Sequence, residues 1–317
     1  MSVEGGTRAI VAAFLANLGI AVTKFGAYLV SGSSSMLAES VHSVADSGNQ
    51  VLLLIGGKRS RREATSQHPF GYGRERYVYA FIVSIVLFSV GGLFSIYEGI
   101  HKIQHPEEIK NAAIPIVVLL VAIVLESLSL RTAVTESNRV RVGESWIQFV
   151  RRAKAPELPV VLLEDVAALV GLVLALTGLS AAVLTDDPVW DGLGTIAIGV
   201  LLVVIAVVLG VEMKSLLVGE GASVRDTASI RAAIETADGI NGIIHMKTLY
   251  LGPDELMVAA KVAVSSTVLA GEVAGAIDNA ERQVRAAVPV ARVIYLEPDV
   301  FDASRAGAPM DAVTEET

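Results

Sequence analysis

Ser35-Met36-Leu37-Ala38-Glu39-Ser40-Val41-His42-Ser43-Val44-Ala45-Asp46 places three ionisable side chains inside one stretch of helical character. His42 and Asp46 are four residues apart, so they share a helix face one turn apart, and Asn49 continues that face. The stretch sits in an apolar run over about 34–57, long enough to cross the roughly 30 Å of hydrocarbon in a bilayer. Ionisable groups at that depth are costly and usually face a polar cavity that carries function. A neutral imidazole and a carboxylate on one face can together chelate a divalent ion.

Five further apolar runs of similar length surround this one, over about 8–30, 76–100, 112–135, 160–184 and 189–216. Ser31-Gly32-Ser33 separates the first two runs and Asp186-Asp187-Pro188 the last two. The first run is longer than the apolar part of a secretion signal, contains Lys24 and lacks a small-residue cleavage site, so it reads as a true span. The composition agrees: 53% of the 317 residues are hydrophobic and only 18% charged, where a soluble chain carries about a quarter. With no cysteine, disulfides, thiolate-ligated metals and thiol nucleophiles are excluded, and any metal must be held by nitrogen and oxygen. The net charge of −8, with no basic cluster that interleaves with aromatics, argues against a nucleic-acid partner.

Lys and Arg set the orientation. Lys58, Arg59, Arg61, Arg62, Arg74 and Arg76 lie between spans two and three, and Arg131, Arg139, Arg141, Arg151, Arg152 and Lys154 between spans four and five. The opposite side has only Lys102 and Lys110, so both termini are expected in the cytoplasm. The chain thus divides into a six-helix transport domain over 1–217, an α+β domain over 218–302, and a small, acidic tail over 303–317 expected to be disordered. Within the second region the pattern predicts helix Val224–Ala237, strands Ile243–Leu251 and Glu255–Val264 around Gly252-Pro253-Asp254, helix Leu269–Val288 and strand Arg292–Glu297.

The fifth span adds Glu164-Asp165. Neighbouring residues point about 100° apart on a helix, so at most one aims squarely at a given partner. Buried carboxylates need a compensating cation or protons. A divalent metal site between spans two and five is the economical answer. Glu39 lies nearer the outer end and reads as a vestibule residue. Lys24, Asn17 and Glu126 either pair with one another or belong to the site. Asp191 opens span six, where a carboxylate suits the helix N-terminus without a further role. Metalloprotease, phosphate-loop and nucleophile-elbow motifs are missing, and Gly71-x-Gly73 is not a dinucleotide fingerprint, so an enzyme is not expected.

These residues resemble the cation diffusion facilitator family of divalent-metal transporters, in particular the branch typified by the animal mitochondrial zinc transporter. The likeness rests on Gly32-Ser33-Ser34-Ser35-Met36-Leu37-Ala38-Glu39, the His42/Asp46 pair, His68-Pro69-Phe70-Gly71-Tyr72-Gly73-Arg74 and Pro188-Val189-Trp190-Asp191-Gly192. It implies six transmembrane helices followed by a cytoplasmic ferredoxin-like αββαβ domain that supports a homodimer. It also implies His42, Asp46 and Asp165 as ligands of the transported metal. The family's fourth ligand position falls on Val161, which cannot bind, leaving Glu164 or water. In the tail, His245 matches one family metal position while the others are lost, so it reads as a surface residue. Arg74 matches the basic member of a family charge lock, for which Glu220 is the expected acidic partner.

The expected function is proton-coupled export of a divalent cation by alternating access in a membrane dimer. Zn²⁺ is first, with Mn²⁺, Fe²⁺ and Co²⁺ open to a site of one imidazole and several carboxylates. No resident cofactor is expected. A membrane metal sensor that binds without flux is the main alternative, and a membrane metal hydrolase a remote one. The basic loops and the lack of a transit peptide point to a bacterial plasma membrane.

Overall fold

The computed structural model describes residues 3–141 and 143–300, with side chains from residue 17 onward; the tail over 303–317 lies outside the described residues. Two compact units result. One reaches to Arg62 and resumes over Glu75–Lys214, and the other joins Glu63–Arg74 to the chain from Ser215 onward.

The first unit is a bundle of six transmembrane helices. Its elements are α1 (Val3–Ser31), α2 (Ser34–Arg59), α3 (Glu75–Val86), a π-helical turn (Leu87–Leu93), α4 (Phe94–Gln104), α5 (Ala113–Val140), the short α6 (Trp146–Arg152), α7 (Glu157–Thr185) and α8 (Val189–Val218). α3, the π turn and α4 form one continuous span. Among the described residues, that span, α5, α7 and α8 are long and apolar enough to cross a membrane by composition alone. α2 has the length, at 26 residues, but it carries a polar face that includes Glu39, His42 and Asn49, and that face is buried. Glycines let its neighbours close in. A Cβ on Gly99 would lie 2.7 Å from the Gly192 carbonyl, and one on Gly199 would lie 2.6 Å from Ile96. Gly92 and Gly99, like Gly192 and Gly199, are two helical turns apart, so each pair forms a stripe along which spans three and six touch backbone to backbone.

α2 begins in an unexpected way. Gly32, at φ +70°, reverses the chain after α1, and Ser33 caps α2 by accepting from the Met36 N–H. The main acceptor, however, comes from span six. Asp191 is fully buried and receives the Ser33 hydroxyl at 3.0 Å, the Ser34 N–H at 2.7 Å and hydroxyl at 3.1 Å, and the Ser35 hydroxyl. The carboxylate expected to serve only its own helix therefore caps another one, 157 residues away in sequence. Lys102 completes the turn by donating to the Gly32 carbonyl at 3.0 Å.

The second unit contains α9 (Val224–Glu235), β1 (Gly242–Gly252), β2 (Glu255–Val264), α10 (Ala270–Ala287) and β3 (Ala291–Val300). β1 pairs antiparallel with β2 through the two-residue loop Pro253-Asp254, and β2 pairs parallel with β3 across α10. The ferredoxin-like order matches the sequence reading, with ends displaced by up to three residues. Both helices bury Ile230, Ile234, Ala280 and Val284 against Leu256, Val258 and Val262, the alternate residues of β2. Gly73 packs on the hairpin end, where a Cβ would lie 2.7 Å from the Leu251 carbonyl. Its glycine serves close packing and not phosphate binding.

Asp191→Ala leaves the donors of Ser33, Ser34 and Ser35 without their acceptor. The substitution is expected to cost about 2–4 kcal/mol, read as a lower Tm of the detergent-solubilised protein, with Asp191→Asn losing less.

Candidate metal site

The site is built on α2. His42 and Asp46 project from one face, with Nδ1 of the ring 3.5 Å from Oδ1 of the carboxylate. Neither imidazole nitrogen has a hydrogen-bond partner among the described residues, nor do Asp46 Oδ1 and Asn49 Oδ1, although all are buried. Such orphaned atoms are costly unless something arrives to bind them.

α7 answers with its adjacent acids, and they diverge as neighbours on a helix must. Glu164 is buried and turns to α2, where Oε1 accepts from Asn49 Nδ2 at 2.7 Å. Asp165 turns to α5, where Oδ2 accepts from the Ser129 hydroxyl at 3.0 Å. Asp46, Glu164 and Asp165 line one cavity of about 30 Å³, large enough for a water, with Val161 as an apolar wall. His42 is not in that lining. It sits behind Asp46 toward the π turn, where a Cβ on Gly91 would lie 3.9 Å from its Nδ1. Among the described residues, no three His, Asp or Glu side chains stand close enough to hold a metal. The structure thus gathers three of the sequence-derived residues round a cavity and holds the fourth one step away.

Two more charged residues line the cavity. Glu126 of α5 and Lys24 of α1 both reach it, together with Asn17. Lys24 does not bind Glu126, however; its ammonium donates to Glu39 Oε2 and to the Ser43 hydroxyl, each at 2.9 Å. Glu39 is therefore no vestibule residue. It is fully buried, and its Oε1 lies where a Cβ on Gly171 would be 2.9 Å away. That partnership had a signal in the sequence, since two opposite charges in adjacent spans require each other.

In the second unit His245 is half-buried and stands opposite Lys261 in the β1–β2 register. Lys261 reaches Asp299 at 2.9 Å and Glu297 at 3.3 Å. These carboxylates, Asp299 first, raise its pKa and keep it charged beside the imidazole. Arg74 Nη2 would lie 3.5 Å from a Cβ on Gly219, one residue before Glu220.

Residues 10–218 match the cation efflux transmembrane domain. The chain belongs to the cation efflux, or cation diffusion facilitator, family. It is 30% identical over 265 residues to the mitochondrial proton-coupled zinc antiporter SLC30A9 of Xenopus laevis, across 83% of this chain and 47% of that protein. The human SLC30A9 is also 30% identical, over 241 residues covering 75% and 42% of the two chains. Metal tolerance protein C4 of Arabidopsis thaliana is 29% identical over 257 residues, covering 80% and 56%. The cation-efflux pump FieF of Klebsiella pneumoniae is 24% identical over 253 residues, covering 78% and 77%. This family member therefore stands near the SLC30A9 branch and spans about half the length of the SLC30A9 proteins it matches.

Asn49→Ala removes the donor that holds Glu164 in place. The buried carboxylate is then unpaired, with an expected loss of about 1–3 kcal/mol in a thermal melt; a Tm within error of the parent would refute the assigned contact.

Proposed function

We propose that this chain exports a divalent cation, Zn²⁺ first, in exchange for protons moving inward. The observation that carries the proposal is the small cavity between α2, α5 and α7, lined by Asp46, Glu164 and Asp165 near the ring of His42, whose nitrogens make no hydrogen bond among the described residues. Clustered buried carboxylates are unfavourable empty and charged, so the site is stable with either a cation or protons in it. That exclusive choice is the chemical requirement for antiport.

In one conformation, deprotonated His42, Asp46 and Asp165 hold the ion, and Glu164 or water completes the set. Glu164 would ligate through Oε2 while Oε1 keeps the Asn49 donor, or through Oε1 once that donor is released. For His42 to ligate, its ring must turn past Asp46 toward the cavity. In the outward-facing conformation protons compete for the same groups and release the ion. Two protons per ion would balance charge. One imidazole and carboxylate oxygens suit Zn²⁺ while leaving Mn²⁺, Fe²⁺ and Co²⁺ as weaker cargo. The relatives named as proton-coupled zinc antiporters support zinc as the first candidate. We place both termini in the cytoplasm from the arginine-rich loops, in a bacterial plasma membrane, with the transporter working as a homodimer.

Proteoliposomes with a trapped pH dye test the proposal. Zn²⁺ uptake should be accompanied by opposed proton movement and should fall to the protein-free background in Asp46→Ala and in Asp165→Ala. Flux that survives both substitutions would move the site elsewhere, and Zn²⁺ flux without proton movement would refute the coupling.

A further inference from the structure

Lys24 is a buried ammonium in a membrane bundle, placed against the cavity that takes the cargo. Its hydrogen bonds go to Glu39 Oε2 and Ser43 Oγ. Ser43 comes directly after His42 and precedes Asp46 by three residues, so the ammonium stands about one helical turn from Asp46 on the same side of α2. A pair that only tied α1 to α2 would have no need to border the cavity. This one does, on the Lys24 side, while Glu39 stays outside the lining with Oε1 unpartnered among the described residues.

We propose that Lys24 is a resident cation that competes electrostatically with the transported ion, and that Glu39 sets the strength of this competition. The inference rests on the cavity being the cargo site. Like charges confined in a medium of low effective dielectric repel over several ångströms, and a divalent ion feels twice the effect of a monovalent one. A fixed ammonium therefore loosens the bound metal and favours its release. It also offsets part of the carboxylate charge when the cavity is empty, which eases the return of the unloaded carrier. Glu39 neutralises most of this field at rest, so the balance between the two charges, and not the pair as a whole, tunes the affinity.

The reading makes a sign prediction that a structural ion pair does not. Zn²⁺ binding would be measured by calorimetry on the purified full-length protein in detergent, at fixed pH and ionic strength. The variants are Lys24→Met, Glu39→Gln and the double substitution, with Asp46→Ala as reference. Lys24→Met should bind Zn²⁺ about tenfold more tightly, Glu39→Gln about tenfold more weakly, and the double variant within about threefold of the parent. In proteoliposomes Lys24→Met should lower both KM and the maximal rate, since tighter binding slows release. Glu39→Gln keeps the shape of the side chain, and the double variant leaves no unpaired buried charge, so these two decide the matter if Lys24→Met does not fold. Shifts of the same sign in both single variants, or no shift in Glu39→Gln together with a changed double variant, would overturn the inference while Asp46→Ala still abolishes binding. Zn²⁺ binding that survives Asp46→Ala would overturn the cargo site itself, and the inference with it.

Discussion

α2 cannot face lipid. Glu39, His42, Asp46 and Asn49 occupy one side of a helix that must cross hydrocarbon, and each would be prohibitively costly there without a partner. The other spans are arranged round this constraint. α1 supplies an ammonium to Glu39, α7 supplies a carboxylate to Asn49, and α8 supplies Asp191 to the N–H and hydroxyl groups at the start of α2. Both nitrogens of His42, and one oxygen each of Glu39, Asp46, Asn49 and Gln50, are left without hydrogen-bond partners among the described residues. Of these, Asp46 and Gln50 line the cavity, and the His42 ring stands behind Asp46, outside the lining.

The supporting helices are held by a different kind of contact. Lipid offers no hydrophobic drive for helices to associate, so close backbone approach at small residues must supply packing. The glycines of spans three and six do this, and the π turn at Leu87–Leu93 lies beside them with Gly91 against Leu202 and His42. π-helical turns break the regular i→i−4 ladder and recur at functional positions. Here the irregular turn backs the His42 ring, the group that the proposed site requires to turn toward the cavity.

Length and hydropathy mark four spans outright among the described residues, since a run of about 20 apolar residues has few soluble uses, whereas α2 is legible by its length and position in spite of its polar face. The tail was legible through strand-type residues and a proline turn between β1 and β2. α6 was missed, although Ser145 and Gln148 form a capping box that a search for such pairs would have found. The π turn had no comparable signal, because glycine pairs are common in membrane helices. The role of Asp191 was misread for a clear reason: local rules assign a carboxylate to the nearest helix N-terminus, and here the helix it caps is distant in sequence. Local spacing pairs His42 with Asp46, and the family resemblance adds Asp165 and Glu164, yet the displacement of His42 from the cavity depends on how the helices pack together. No one-dimensional pattern records that.

The central claim is that one imidazole, from α2, and carboxylate oxygens share the transported ion. X-ray absorption at the zinc edge, on protein loaded with one equivalent of Zn²⁺, tests it most directly. The account predicts a shell of nitrogen and oxygen only, at about 2.0–2.2 Å, with the scattering signature of a single imidazole that disappears in His42→Ala. Two or more imidazoles would place the ion at other histidines of the chain, and a shell with none would leave His42 out of the site; either result would contradict the account.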